Sequence, residues 1–273
     1  MIFKSISDLS NDIFEKLLPN LPRDIGVVYG IPRSGMLPAT ILATSLGVDL
    51  GILGGQPSFG ERKKNIVIPK GSKILLVDDS IHTGKAMLKA SMLLKHDRSH
   101  YYTCAVYAHS KSIHLIDFYA DVIDNGRIFQ WNFTGIKATK NYCWDMDGVI
   151  CTNPSVLDDD GEIYRNEILN CVKPLYIPQV IIKAIITNRI ERWRTETEAW
   201  LNRYGIQYEQ LIMQPYATAL ERRKNSTPEA FKAKNFLEQN GTIYIESHDN
   251  QAKNIAKLSG RPVLSIASMK LFN

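Results

Sequence analysis

Long apolar runs are missing from this chain. The apolar-rich stretch Met36–Gly55 is broken by Pro38, Asp49 and four glycines, so no membrane span is expected. The amino-terminal MIFKSISDLSND has no basic segment followed by an apolar core, which argues against a secretory leader and for a cytoplasmic protein. Cysteine is scarce. Cys104, Cys143, Cys151 and Cys171 lack metal-ligand spacing and read as reduced thiols, which excludes a disulfide scaffold. Charge of one sign is also missing. Lys and Arg number 33 against 28 Asp and Glu, a net +5 mixed along the chain, so nucleic acid is not the favoured partner and phosphorylated small molecules fit. There is no repeat and no low-complexity tract. What remains is a chain of 273 residues, 44% hydrophobic, enough for two α/β domains with real cores.

The stretch Lys73–Met87, KILLVDDSIHTGKAM, organises the first half. Ile74–Val77 is a short continuous apolar run, as in a strand covered on both faces. Asp78 and Asp79 end it, Ser80–Gly84 reads as a small polar turn, and Lys85–Leu94 reads as a helix. A turn that enters a helix aims free N–H groups at one point, where the helix dipole favours an anion. Two carboxylates just before that point suit a ribose diol or a metal. The same arrangement occurs upstream, where the predicted strand Ile25–Tyr29 runs into Gly30–Ile31–Pro32–Arg33–Ser34–Gly35 and a helix through Leu46. Arg33 in such a turn can hold pyrophosphate through charge-assisted bonds. The bland alternative is a surface arginine on a strand–helix loop.

The run Asp78–Asp79–Ser80–Ile81–His82–Thr83–Gly84–Lys85 resembles the 5-phosphoribosyl-1-pyrophosphate (PRPP) motif of type I phosphoribosyltransferases, in its purine-salvage form. The resemblance implies that Asp78 and Asp79 bind the ribose hydroxyls and that Ser80–Ala86 wraps the 5′-phosphate. It assigns Arg33, Ser34 and Gly35 to the pyrophosphate loop. Ala86 stands where a hydroxyl residue is common, and His82 where purine enzymes carry an acid near the base. The polar, basic Gln56–Asn65 matches the loop that closes over the sugar in this family, with Arg62, Lys63 and Lys64 as weak pyrophosphate candidates. The aromatic-rich Phe118–Phe133 is the expected base-binding hood, where Tyr119, Phe129 or Trp131 either stacks on a ring or belongs to the core. Ser7–Leu18, with Leu9, Ile13 and Leu17 in line, reads as a covering helix, and alternating strands and helices imply a parallel sheet.

Gly135–Asn141 reads as a linker, placing the expected boundary between residues 137 and 138. Beyond it, the strand Tyr142–Trp144 enters Asp145–Met146–Asp147–Gly148. Two carboxylates there can share one phosphorus, the first attacking it and the second handling a proton. The calcium-loop alternative lacks its later ligands. A predicted strand Ile181–Ile186 ending at Thr187 follows, then a basic helix Thr195–Tyr204, a short strand Leu211–Met213, and a helical stretch Pro228–Leu237 carrying Lys232 and Lys234. A strand Thr242–Ile245 leads to Glu246–Ser247–His248–Asp249 and a helix Gln251–Leu258. Residues 142–266 resemble haloacid-dehalogenase-like phosphatases. That implies Asp145 as nucleophile, Asp147 as general acid and base, Thr187 on the phosphoryl group, and Lys232 (or Lys234) offsetting charge. Asp145, Asp147, Glu246 and Asp249 are the implied Mg²⁺ set. Cys151 reads as core and His248 as a loop residue. About forty residues separate Asp145 from Thr187, which leaves room for only a minimal cap and an open site, similar to the phosphatase domain of polynucleotide kinases.

The resulting expectation is a bifunctional enzyme. One domain moves phosphoribose from PRPP to a nucleobase-like acceptor, and the second hydrolyses a phosphate monoester, with the 5′-phosphate of the product as the natural target. A homodimer fits the first family. Two alternatives stand beside it: a regulatory nucleotide- or RNA-binding protein whose PRPP site only binds, and a polynucleotide 3′-phosphatase with an accessory PRPP domain.

Overall fold

In the computed structural model, residues 1–53, 69–124, 126–156 and 161–273 are described. The closing loop expected at Gln56–Asn65, with Arg62, Lys63 and Lys64, lies outside the described residues. The chain divides into two units, Ile2–Trp131 and Asn132–Asn273.

The first unit runs β1 Ile2–Lys4, α1 Ile6–Asp12, β2 Ile25–Gly30, α2 Met36–Leu46, β3 Asp49–Ile52, β4 Lys73–Ile81, α3 Lys85–Leu94, β5 Tyr101–Ala108, β6 Phe118–Val122 and β7 Arg127–Phe129. Its main sheet has the order β3-β2-β4-β5-β6 and every pairing is parallel, while β1 and β7 form a separate parallel pair. The apolar run Ile74–Val77 sits at the centre with each residue at most 1% exposed, as a strand covered on both faces requires. The strand is longer than its apolar run. β4 continues through Asp78, Asp79 and Ser80 because the ladder to β5 persists, with Asp78 opposite Ala105 and Ser80 opposite Tyr107. The predicted Ser7–Leu18 helix is regular only in α1, which Ser5 caps reciprocally with Asp8. Ile13–Leu17 then widens to π geometry, and Leu9, Ile13 and Leu17 are all fully buried. The wider turn keeps residues spaced by four on one line, so burial of the stripe is kept at the expense of α-helical bonding.

The second unit runs β8 Tyr142–Trp144, α4 Glu162–Asn166, β9 Ile182–Ile190, α5 Arg194–Arg203, β10 Tyr208–Gln214, α6 Ala219–Asn225, α7 Pro228–Glu238, β11 Ile243–Glu246, α8 Asp249–Ser259, β12 Val263–Ser265 and β13 Lys270–Phe272. The sheet order is β10-β9-β8-β11-β12-β13, parallel except for the β12–β13 pair. Both units are therefore α/β with largely parallel sheets and flanking helices. The expected linker is structured. Lys137–Asn141 forms a 3₁₀ turn, Thr139 is fully buried and donates to the Phe133 carbonyl at 2.6 Å, and Phe133 stacks on Trp144 at 5.7 Å. A polar, aperiodic sequence concealed this because the turn is held by one threonine and one aromatic ring. All four cysteines carry free thiols, with Cys151 buried. Among the described residues no helix is long and apolar enough to cross a membrane.

Candidate functional site

In the first unit the carboxyl ends of β2 and β4 carry the two predicted loops side by side. The Ile31 amide donates to the Val77 carbonyl at 2.8 Å. Gly35 is pressed against β4, where an added Cβ would lie 2.7 Å from the Val77 carbonyl oxygen and 2.9 Å from the Asp78 Cα. Only glycine permits that approach. It sets Arg33 and Ser34, with Arg33 exposed, beside the acidic pair. Asp78 and Asp79 are buried, Ser80 is half-buried, and His82, Thr83 and Lys85 are exposed along the turn into α3. Gly84 caps that helix in the left-handed region at φ 73°. The His82 carbonyl accepts from the Ser112 hydroxyl, and its ring lies 4.6 Å from that of His109.

The two acids differ in their surroundings: Asp79 interacts with the charge of the half-buried Arg127. Asp78 is pushed up to about 8, first by burial and then by the charge of Asp79. A group in this state suits neutral hydroxyls or an incoming cation. It also has a consequence for stability. The fold retains a proton on Asp78 that an unfolded aspartate loses near pH ~3.9. The stabilisation that goes with it is complete below that pH and is lost as pH rises towards about 8. The ligand-free protein is expected to melt a few degrees lower near pH 8.5 than near pH 6, roughly the effect of 1–2 kcal/mol, and Asp78→Asn should remove most of the difference. A flat wild-type profile in scanning calorimetry would contradict this account of Asp78.

The aromatic stretch behaves differently from a free hood. Phe129 is buried and stacks on Tyr107 at 5.2 Å and on Trp131 at 4.9 Å, with Trp131 tilted only 3° from it. The Trp131 indole Nε1 donates to Asp79 Oδ2 at 2.7 Å. Tyr119 lies on β6 and is 40% exposed. Phe129 is thus a core residue, and Trp131 has a polar duty that apolar spacing does not announce.

In the second unit Asp145 follows β8 directly and is buried. Lys232 on α7 donates to Asp145 Oδ2 at 2.7 Å and to Glu246 Oε2 at 2.8 Å, with Gln251 Oε1 at 3.2 Å. Lys234 on the same helix is 74% exposed and reaches only Glu238, at 3.9 Å. Burial pushes Asp145 up against the pull of Lys232. Burial also opposes ionisation of Glu246, but there Lys232 and the Ser247 donors win, and its carboxylate is held below the usual range. Burial works against the Lys232 charge too, yet the two carboxylates keep it well above an ordinary lysine. Thr187 lies inside β9, fully buried, and accepts from the Arg189 amide at 3.2 Å.

Asp147 is held by a residue the sequence reading passed over. Arg189, 2% exposed, donates through Nη2 to Oδ1 at 2.6 Å and through Nε to Oδ2 at 3.0 Å. Its Nη1 is anchored on Thr197, and Cys151 Sγ lies 3.5 Å from its Nη2. The only signal was an arginine two positions after Thr187. Gly148, at φ 78°, lets the loop turn against Ser247, which an added Cβ would meet at 2.6 Å. Asp249 accepts instead from Ser265 and Ser268, at 2.6 and 2.7 Å. The set Asp145, Asp147, Glu246 and Asp249 is therefore not assembled as a metal cage. Lys232 bridges the first and third, Arg189 takes the second, and two serines take the fourth. Among the described residues no group of three or more His, Cys, Asp or Glu forms a ligand set. The opening beside Asp147, about 230 Å³, is lined by Asn153, Tyr164, Asn188, Arg189 and Arg222 among others.

Comparison with known proteins bears on the first unit. The chain is 29% identical over 98 residues to a protein named transcriptional regulator GfcR from Methanocella arvoryzae, covering 31% of this chain and 46% of that one. It is 32% identical over 97 residues to a GfcR from Methanospirillum hungatei JF-1, covering 33% and 49%. The chain thus spans about half the length of the curated relatives it matches. Among solved structures it resembles a purine phosphoribosyltransferase from Pyrococcus horikoshii Ot3 at 21% identity and a TM-score of 0.38, over 48% of this chain and 93% of that one. The family described as "Phosphoribosyl transferase domain" matches residues 2–139, just over half of the 273 residues, and the chain belongs to that family.

Proposed function

We propose that the first unit transfers the phosphoribosyl group of PRPP to a nucleobase-like acceptor. The observation that carries this reading is the buried Asp78–Asp79 pair, set against the Arg33–Gly35 turn by the glycine contact. In the reaction a ring nitrogen forms its bond to C1 of the ribose as the C1–oxygen bond breaks, and pyrophosphate leaves with the bonding pair. The carboxylates accept from the ribose hydroxyls, the turn into α3 holds the 5′-phosphate, and Arg33 offsets charge on the leaving group. Mg²⁺ belongs to this step as the counter-ion of the PRPP pyrophosphate.

The second unit is read as a phosphomonoesterase of the haloacid-dehalogenase-like type, with Asp145 as nucleophile and the product's 5′-phosphate as substrate. What supports this is Lys232, a buried ammonium between Asp145 and Glu246, which opposes the burial that would leave the nucleophile protonated. An Asp145 oxygen bonds to phosphorus as the ester oxygen leaves. Water then attacks the phosphorus, the bond from phosphorus to the Asp145 oxygen breaks, and the water gives up a proton. Asp147 is assigned to receive that proton, for which one of its two bonds from Arg189 must open. The leaving oxygen takes its proton from solvent water, and the proton that Asp147 receives returns to solvent. Since the carboxylates do not gather as a metal cage, no step here is routed through a metal.

The relatives named as transcriptional regulators support a second reading, in which the PRPP site binds without turnover. The deciding experiment incubates the protein with PRPP, Mg²⁺ and a panel of nucleobases and measures pyrophosphate. Release with one acceptor is the expected result. Tight PRPP binding with no release across the panel would favour the regulator, and hydrolysis of oligonucleotide 3′-phosphates independent of PRPP would move the second unit to nucleic-acid ends.

A further inference from the structure

We infer that Trp131 is a positioning residue for PRPP: its indole N–H fixes Asp79 so that the acidic pair meets the ribose diol in one orientation. This rests on reading the Asp78–Asp79 pair as the ribose site. Two adjacent buried carboxylates repel each other, and a carboxylate at the end of a strand turns freely about its last bond unless something holds it. Asp78 has a holder, since its Oδ1 accepts from the Asp79 amide at 2.9 Å. Among the described residues, the Asp79 side chain accepts from Trp131 Nε1, 2.7 Å from Oδ2. The indole is itself fixed, 3° from coplanar with Phe129, which stacks in turn on Tyr107 of β5. The stack therefore transmits the position of the sheet to the carboxylate. A neutral N–H steadies the charge of Asp79 without forming an ion pair that ribose hydroxyls would have to displace. Nε1 occupies one lone pair of Oδ2, and a carboxylate has further lone pairs with which to accept from ribose hydroxyls.

The inference separates two duties for one ring. A stacking residue works through its face, and phenylalanine would replace it. A positioning residue works through Nε1, and phenylalanine would not. The test is calorimetric titration of Mg·PRPP, which needs no acceptor, into wild type, Trp131→Phe, Asp79→Ala and the double variant. Trp131→Phe is expected to weaken binding about tenfold, the size of one hydrogen bond to a charged group. In the Asp79→Ala background, which has no side-chain acceptor, the same change should cost almost nothing further, because a residue that acts through Asp79 has nothing left to act on. Trp131→His, which returns a ring N–H, should recover part of the affinity, and it provides the reading if the phenylalanine variant folds poorly. Wild-type affinity in Trp131→Phe, or losses that simply add in the double variant, would overturn the inference while leaving the ribose site standing. Failure of wild type to bind Mg·PRPP would overturn both.

Discussion

Asp145→Asn should stop the second reaction and leave the first running. Incubated with PRPP, Mg²⁺ and the productive acceptor, the variant is expected to accumulate a nucleotide where wild type yields the dephosphorylated product, with hydrolysis down on the order of 10⁴-fold or more, the scale seen when a covalent nucleophile is removed. An amide nitrogen has no charge with which to attack phosphorus. The substitution is nearly isosteric, and an asparagine oxygen still accepts from Lys232, which keeps its bond to Glu246 at 2.8 Å. The fold should therefore survive, and pyrophosphate release by the first unit should be unchanged. Mass spectrometry of the products reads both half-reactions at once. Continued formation of the dephosphorylated product would remove Asp145 from the nucleophile's role.

The second large effect concerns stability. Lys232→Met is expected to destabilise the second unit by about 3–5 kcal/mol, the usual penalty for leaving a buried charge without its partner. Asp145 is 4% exposed and Glu246 fully buried, and without the ammonium one of them must take up a proton to remain there. Both carboxyls would then be raised, so the deficit should be smaller near pH 5 than near pH 8. Lys234→Met, on the same helix but with its ammonium in solvent, serves as the control and should change stability by a few tenths of a kcal/mol at most. Similar thermal midpoints for the two variants would mean that the Asp145–Lys232–Glu246 bridge does not hold the unit together.

Much of this was legible before any coordinates. Strand–turn–helix punctuation located both loops of the first unit, and β8 has its predicted bounds because a three-residue apolar strand between a polar turn and an acidic motif allows little else. Periodicity narrowed the α7 lysine to two positions. Which one faces inward was open, because Lys232 and Lys234 differ only in a rotation that packing decides. Other features were not legible for definite reasons. The extension of β4 through Asp78–Ser80 comes from its ladder with β5, and a neighbour distant in sequence leaves no trace in the local pattern. Arg189, through two guanidinium nitrogens, and Trp131, through its indole nitrogen, act on carboxylates 42 and 52 residues away. Their residue types, a basic side chain after a strand and an aromatic in an aromatic run, have commoner explanations. The Mg²⁺ set was inferred from order along the chain, and order says nothing about which oxygens lysine, arginine and serine have already claimed.

The seat of Gly35 on β4 makes the first unit a gauge. Because backbone touches backbone there, the separation between the arginine turn and the acidic pair is set by atomic radii and does not relax with side-chain rotamers. On the proposed reading of the site, a ligand is thereby measured by the span between its sugar hydroxyls and its diphosphate. A molecule carrying the right groups at the wrong interval meets one end of the gauge or the other, but not both. Any side chain at position 35 would recalibrate the instrument, changing which lengths fit before it changed how tightly either end holds.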